Sequence, residues 1–380
     1  MKLYINGRYL TQEMTGVQRY AHEIVRGIDD SLDPRAGLEV ILVAPARALR
    51  FTPTLRHIRL RQLGSSPGYL WEQLDLPRYV HDGVLFCPGN SAPVWSLLTR
   101  RPTVVTVHDL SYRYFPAAYD WRFRALYGLL MPVVMRFARE LITVSQSERA
   151  AITEHFPRST TRLTAIQNGG FGPEVLERLP TIPARTLAFP YGLYVGSLSR
   201  RKNFPALLEA AVRLARETPL GFVFVGDAHA ILARTRPVVP EDVREKIRFA
   251  GQVSEVDELV RWYKGAVFTA FPSLYEASPL PPIEAMSCGS PVLASAIPSL
   301  EERCGEAALY CDPSDARDLY AKMHRLAADA ALRTELIARG ARRAAEFSWV
   351  ACTRATLGVL RRAGVRESLE PSQTTSQDRP

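Results

Sequence analysis

Two glutamates, Glu276 and Glu284, stand with seven residues between them in the stretch FPSLYEASPLPPIEAMSCGSPV. Pro281 and Pro282 come just before the second acid. Paired prolines suit a first helical turn, where the missing N–H would have no intrahelical partner anyway. Glu284 therefore falls in the first turn of a helix that stops at Gly289, and Glu276 lies on the loop before it. The apolar run at 266–271, AVFTAF, reads as the buried strand that feeds this loop. Free amides at a helix start attract phosphate. Carboxylates beside them repel it and are better suited to accept hydrogen bonds from hydroxyls. A pocket that takes hydroxyls and phosphate together suits a nucleotide sugar. The plain alternative is a Glu284 that only meets the helix dipole.

The second chemical stretch is 196–203, GSLSRRKN, between a strand at 191–195 and a helix at 204–216. A glycine at a strand end followed by Arg201 and Lys202 offers positive charge for a diphosphate. Lysine is rare in this chain, 5 against 43 arginines, so one at this place carries information. No Asp-x-Asp occurs, so these cations must neutralise a leaving diphosphate. No metal ion and no cofactor are expected. His108 follows a strand at 103–107, at the carboxyl end where open α/β sheets place ligands. Asn168-Gly169-Gly170 reads as a turn at positive φ.

The elements around these residues alternate strand and helix twice over. In the first half, strands are expected at 3–6, 39–44, 84–86, 103–107, 141–144 and 161–166, with helices at 17–28, 69–80 and 146–155. Gly16 opens the first of these helices, and Ser145 with Glu148 reads as a capping box for the last. Residues 121–139 are helical, apolar on one side and arginine-bearing; the reading is a core helix with solvated arginines, with an interfacial helix as the sharper alternative. Pro132 predicts a kink or a break there. Residues 171–190 hold four prolines and read as the linker. The second half repeats the alternation, with strands at 221–225, 247–250, 291–294 and 307–310, and helices from 314 to 362.

The fold class is therefore α/β, two doubly wound Rossmann-like parallel-sheet domains facing a central cleft. The first domain is expected at 1–175, the second at 176–348, a terminal helix at 349–366 and a polar disordered tail at 367–380. No apolar run is long enough to cross a membrane, and the start MKLYINGRYL is not a signal peptide. Five scattered cysteines, Cys87, Cys288, Cys304, Cys311 and Cys352, have no metal spacing and read as reduced core thiols of a cytoplasmic protein. The net charge is +9, with +6 in the first 180 residues, which favours an anionic membrane surface or a phosphate-bearing acceptor. Nucleic acid is not expected as a partner, because no long basic run or RNA-binding motif appears.

Glu276-x7-Glu284 followed by Ala-Met-x-Cys-Gly-x-Pro-Val resembles the signature of retaining glycosyltransferases of family four, which have the GT-B fold. V-H-D-L-S around His108 resembles that family's histidine site. The resemblance implies that His108 contacts the transferred sugar near its anomeric centre and that Glu276 binds its hydroxyls. It implies that Glu284 binds the ribose, that Gly251, Gln252 and Val253 offer backbone edges to the base, and that Gly16, Gly196, Ser197, Arg201, Lys202, Ser278 and Leu280 surround the diphosphate. It further implies that the terminal helix crosses back onto the first domain. The chain departs from the family at Ser197, where arginine is common, and at 277–280, where Ala-Ser-Pro-Leu replaces Gly-Phe-Gly-Leu; Pro279 cannot donate an N–H.

The implied activity is transfer of a hexose with retention, by front-face departure of the diphosphate, and GDP-mannose is the expected donor. The expected acceptor is a polyprenyl-linked or oligosaccharide precursor of a cell-surface polysaccharide, with the protein at the cytoplasmic face and in peripheral contact with the inner membrane. T-G-V-Q-R-Y and G-S-L-S-R-R-K-N are similar to bacterial mannosyl- and rhamnosyltransferases. Other readings are a UDP- or dTDP-sugar transferase, a sugar-nucleotide epimerase of similar fold, and a basic nucleotide- or nucleic-acid-binding protein.

Overall fold

The structure, a computed structural model, describes residues 2–364 except 34, 36, 117, 118 and 227–237. The tail expected at 367–380 and His229 lie outside the described residues. The chain forms two compact units: one takes the residues up to Leu110, Trp121–Gln167 and those from Val350 on, the other Ser111–Asp120 and Asn168–Trp349.

The first unit is built on seven parallel strands: β1 (Lys2–Asn6), β2 (Glu39–Ala44), β3 (Arg59–Gln62), β4 (Val84–Cys87), β5 (Thr103–Val107), β6 (Glu140–Thr143) and β7 (Leu163–Ala165). Their order is β3-β2-β1-β4-β5-β6-β7. Residues of β4 and β5 are buried throughout, as expected where crossover helices cover both faces of a parallel sheet. Helix Gly16–Asp30 buries Tyr20, Ala21, Ile24, Val25 and Ile28 at helical spacing. The order turns back between β1 and β4, which opens a crevice at their carboxyl ends.

The second unit repeats the plan with β8 (Tyr191–Val195), β9 (Gly221–Val225), β10 (Ile247–Gly251), β11 (Phe268–Phe271), β12 (Val292–Ser295) and β13 (Ala308–Cys311). All pairings are parallel, in the order β10-β9-β8-β11-β12-β13. Side chains alternate between two cores. Phe222 and Phe224 meet Phe204 and Leu207 on one face, and Val223 and Val225 meet Val260 and Ile283 on the other. The switch point lies between β8 and β11. Both units are Rossmann-like, as the GT-B reading requires.

Four local expectations change. The helix Trp121–Phe137 is continuous through Pro132, so the proline does not break it; buried side chains lie on both sides of it, Tyr127, Leu130 and Met131 before and Val134 and Met135 after, and their packing offsets the missing hydrogen bond. Residues 171–190 are packed rather than loose. Phe171 is in the second core, Pro173–Arg178 is helical, and Lys264 Nζ donates to the carbonyls of Leu179 (3.1 Å) and Ile182 (2.6 Å). Gly169 and Gly170 are not at positive φ. They are glycines because a Cβ would lie 2.6 Å from the Trp349 ring and 2.7 Å from Ile283, respectively. Strand β3 and helix Val94–Leu98 were not foreseen; β3 reads RLRQ, with no apolar alternation, and forms because β2 offers it a ladder. All five cysteines are buried and free of disulfides.

Candidate active site

Strands β8 and β11 are hydrogen-bonded neighbours, so the loops that leave their carboxyl ends run side by side. This is why the basic stretch meets the first glutamate. Leu274 N donates to Arg201 O (2.9 Å), and Arg201 Nη1 donates to Tyr275 O (3.1 Å). Arg201 Nη1 lies 3.6 Å from Glu276 Oε2, and Lys202 Nζ is bonded to Glu276 Oε1. Ser273 Oγ donates to the same Oε1 at 2.8 Å. The Glu276 side chain is only 9% exposed. Burial pushes its pKa up, but the charges of Lys202 and Arg201, with the Lys202 and Ser273 hydrogen bonds, outweigh burial and hold it below 4.5. The cluster is two cations around one carboxylate.

The backbone of the basic loop is fixed by close approach. Gly196 has φ +150°, and Gly226 (φ +147°) passes so near that a Cβ there would come 1.9 Å from Gly196 O. Ser197 is exposed, and its carbonyl accepts from Tyr194 Oη at 2.7 Å. Asn203, left-handed at φ 57°, starts helix Phe204–Glu217 and ties the loop to Pro313 O at 2.8 Å. Gly251 (φ +74°) and Gln252 are exposed and Val253 half-buried at the end of β10. That strand lies two places from β8, a lateral step of roughly 10 Å, which a nucleoside can cover.

Glu284 falls in the first turn of helix Pro281–Ser287, as the prolines predict. Its side chain is buried, and Tyr263 Oη donates to its Oε2 at 3.2 Å. Leu280 is the residue before the helix and has a buried side chain; Ser278 is half-buried, and Asn168 Nδ2 donates to its carbonyl at 3.4 Å. The loop is held from below by Arg303, which sequence reasoning missed. Its guanidinium is buried over the Phe347 ring and donates to Pro279 O (3.1 Å), Asn168 O (2.7 Å) and Gly169 O (2.9 Å). The available signal was an arginine on the face of helix Pro298–Cys304 that also carries Leu300 and Cys304.

The first unit carries His108. Its Nε2 is 2.8 Å from Pro88 O, so this nitrogen holds the proton, and the neutral ring keeps Nδ1 as an acceptor. Tyr20 packs edge-on at 4.7 Å, and the His108 amide donates to Asn90 Oδ1 at 2.5 Å. Burial lowers the imidazole pKa below 6.5, against the opposing pull of the Pro88 carbonyl and Asp109. Ser145 Oγ accepts from Glu148 N (3.1 Å), but the expected reciprocal bond is replaced, because the Glu148 carboxylate turns to the Leu110 amide at 2.9 Å. Glu148 thus holds the loop of His108 instead of a helix end. Gly16, the first helical residue, follows the N-cap Thr15. Beside it a cavity of about 160 Å³ lies at the β1/β4 switch, lined among others by Asn6, Gln18, Glu72 and Asn90. Beneath it Glu72 pairs with Arg8 at 3.1 Å and accepts from Asn6 Nδ2 at 2.8 Å.

A family model described as Glycosyltransferase Family 4 matches residues 14–169, and one described as Glycosyl transferases group 1 matches residues 190–329. O-antigen chain mannosyltransferase B of Escherichia coli is 33% identical over 235 residues, 59% of this chain and 61% of that protein. Serotype-specific mannosyltransferase WbdA of Escherichia coli is 28% identical over 294 residues, 72% of this chain and 34% of that protein. The chain thus spans about three fifths of the one and a third of the other. Sucrose-phosphate synthase from Thermosynechococcus elongatus has a similar fold, with a TM-score of 0.71 at 20% identity over 95% of this chain and 98% of that one.

Proposed function

Since the chain belongs to the family 4, group 1 glycosyltransferases, whose models match its two halves, we propose that it transfers mannose from GDP-mannose, with retention and without a metal ion, to a lipid-linked or oligosaccharide precursor of a cell-surface polysaccharide. The observation that carries this reading is the cluster of Arg201, Lys202 and Glu276 at the β8/β11 switch. Two cations outnumber one carboxylate, so the cluster attracts a diphosphate and still offers a carboxylate to sugar hydroxyls. As the glycosidic bond to the diphosphate breaks, negative charge grows on the leaving oxygen, and Arg201 and Lys202 stabilise it. The acceptor hydroxyl attacks from the same face and passes its proton to the departing diphosphate, which conserves charge and configuration. His108, in the first unit, is neutral at pH 7 by burial, so it is suited to act as a hydrogen-bonding group rather than as a cation.

The relatives named mannosyltransferases support mannose as the sugar. The polar cavity of the first unit, beside Thr15 and Gln18, is the place we assign to the acceptor sugar. A lipid-linked acceptor would bring the protein to the cytoplasmic face of a membrane as a peripheral component; no helix of the described residues is long and apolar enough to cross one.

The test is calorimetric titration with GDP-mannose, UDP-glucose, UDP-N-acetylglucosamine and dTDP-rhamnose, each with and without chelator. GDP-mannose alone should bind, equally in both conditions, and Glu284→Ala should abolish binding. Binding of a uridine or thymidine donor instead would replace the donor, and binding lost to chelator would replace the metal-free mechanism.

A further inference from the structure

The cavity beside β1 and β4 holds two charges that cancel. Among the described residues that line it, Arg8 and Glu72 are the charged ones. Their side chains are 11% and 1% exposed, and Arg8 Nε lies 3.1 Å from Glu72 Oε2. Further contacts fix the pair in place. Glu72 accepts from Asn6 Nδ2 at Oε2 (2.8 Å) and from Gln73 Nε2 at Oε1 (3.3 Å). Arg8 Nη2 donates to Ser91 Oγ at 3.2 Å, and the guanidinium lies over the Tyr69 ring at 4.1 Å. Arginine does not give up its proton, so Glu72 alone keeps this cavity from being cationic.

The rest of the lining is polar without charge. Asn90 Oδ1 accepts from the His108 amide (2.5 Å), which leaves Asn90 Nδ2 as a donor for a ligand. Gln12 Oε1 accepts from Gln18 Nε2 (2.8 Å), which leaves Gln12 Nε2 in the same way. Tyr9 also lines the cavity and is 5% exposed, and its hydroxyl has no hydrogen-bond partner among the described residues. A buried hydroxyl in that state is destabilising, so its presence points to a partner that arrives with a ligand. Tyr69 and Tyr127 add ring faces, which suit the C–H side of a pyranose. Amides, hydroxyls and rings with no net charge fit a neutral sugar. A phosphate or carboxylate would meet Glu72, which already occupies Arg8 and repels it.

We propose that this cavity takes the terminal sugar of the acceptor as an uncharged hexose, with Tyr9 and Asn90 on its hydroxyls, and that Glu72 excludes sugars bearing phosphate or carboxylate by cancelling Arg8. This rests on the acceptor site of the proposed function and adds the charge rule that selects its occupant, and sugar binding is measured without any transfer.

The experiment is saturation-transfer NMR on the whole protein. Methyl α-mannoside, methyl α-galactoside and N-acetylglucosamine are the neutral probes, and mannose 6-phosphate and galacturonate the anionic ones. GDP is present throughout, so that the Arg201–Lys202 cluster is closed to the anions. At least one neutral probe should bind, and both anions should bind at least tenfold more weakly. Glu72→Gln keeps an acceptor oxygen and loses the charge. It should raise mannose 6-phosphate affinity tenfold or more and change the neutral sugar less than threefold. Tyr9→Phe should weaken the neutral sugar about fivefold or more. Its urea midpoint should stay level or rise, because the hydroxyl removed has no partner in the folded chain. A hydroxyl with a structural role alone would lower the midpoint and leave sugar binding intact. Equal binding of neutral and anionic probes, no neutral probe bound, or a Tyr9→Phe that binds sugar as before would each overturn the proposal. If Glu72→Gln fails to fold, the wild-type comparison and Tyr9→Phe still decide. Sugar binding as expected without GDP-mannose binding would overturn the transferase reading and leave the cavity assignment standing.

Discussion

Lys202 and Glu276 form an ion pair between two loops whose members are 74 positions apart in the chain. The pair exists because β8 and β11 are neighbours across the point where the sheet order reverses. On the proposed reading, a diphosphate at this place would share Lys202 and Arg201 with Glu276. The carboxylate would then restrain the affinity for the leaving diphosphate while accepting from the sugar.

That restraint gives opposite signs for binding and turnover in one variant. Glu276→Gln should tighten binding of free GDP by about 1 kcal/mol, roughly fivefold, because an opposing charge beside the cations is gone. The same variant should lose transfer. Lys202→Ala should weaken GDP by about tenfold or more, since a charge-assisted contact goes and the buried carboxylate is left with Arg201. Titration calorimetry with GDP and a product assay read the two effects. Weaker GDP binding in Glu276→Gln would contradict the shared-cation arrangement.

Arg303 should prove a stability determinant of the second unit. Three carbonyls, at Asn168, Gly169 and Pro279, share its guanidinium in a buried setting. Arg303→Met leaves them without that donor, at a cost of about 3 kcal/mol or more. Arg303→Lys should recover little, because an ammonium cannot reproduce the planar fork. Urea unfolding followed by tryptophan fluorescence, which includes Trp349 beside Gly169 and Gly170, would measure it.

His108 makes stability depend on pH in a defined direction. Its folded pKa lies below the ordinary 6.5, chiefly through burial. The native state thus favours the neutral ring; its contribution is complete above 6.5 and is lost as pH falls through the lower folded value. Urea midpoints taken from pH 8 down to pH 5 should fall in the wild type and fall less in His108→Gln, whose side chain can still donate to Pro88 O. Equal slopes would mean that this imidazole does not titrate differently on folding.

Glu148 acts on the loop of His108 through the Leu110 amide. Glu148→Ala should lower kcat by about tenfold with the donor KM nearly unchanged, since its contact is to the histidine loop and not to the cation cluster. Glu148→Gln keeps an acceptor oxygen and should restore most of the rate. A purely structural glutamate would show reduced stability without that rescue of kcat.

The strands around the site were legible from sequence because parallel strands covered on both faces are written as unbroken apolar runs. Both glutamates, the prolines and the basic loop were read onto the right elements, and β2, β5, β8 and β9 have the expected bounds. The edge strand β3 was not legible, because RLRQ carries no apolar pattern and its partner supplies the reason to extend. Ser145-x-x-Glu148 gave a correct helix start and an incorrect partner for the glutamate, since local spacing cannot weigh a helix end against an amide 38 positions away.

The sequence by itself determined which residues carry charge and polarity at the strand ends, and that two doubly wound sheets would hold them, because local periodicity and turn chemistry are encoded within a few residues. Only the tertiary structure decided which of these residues meet: Lys202 with Glu276, Arg303 under Pro279, and Glu148 behind His108. Such partnerships depend on strand order and on which side of a helix is covered, and both are settled by the packing of the whole chain.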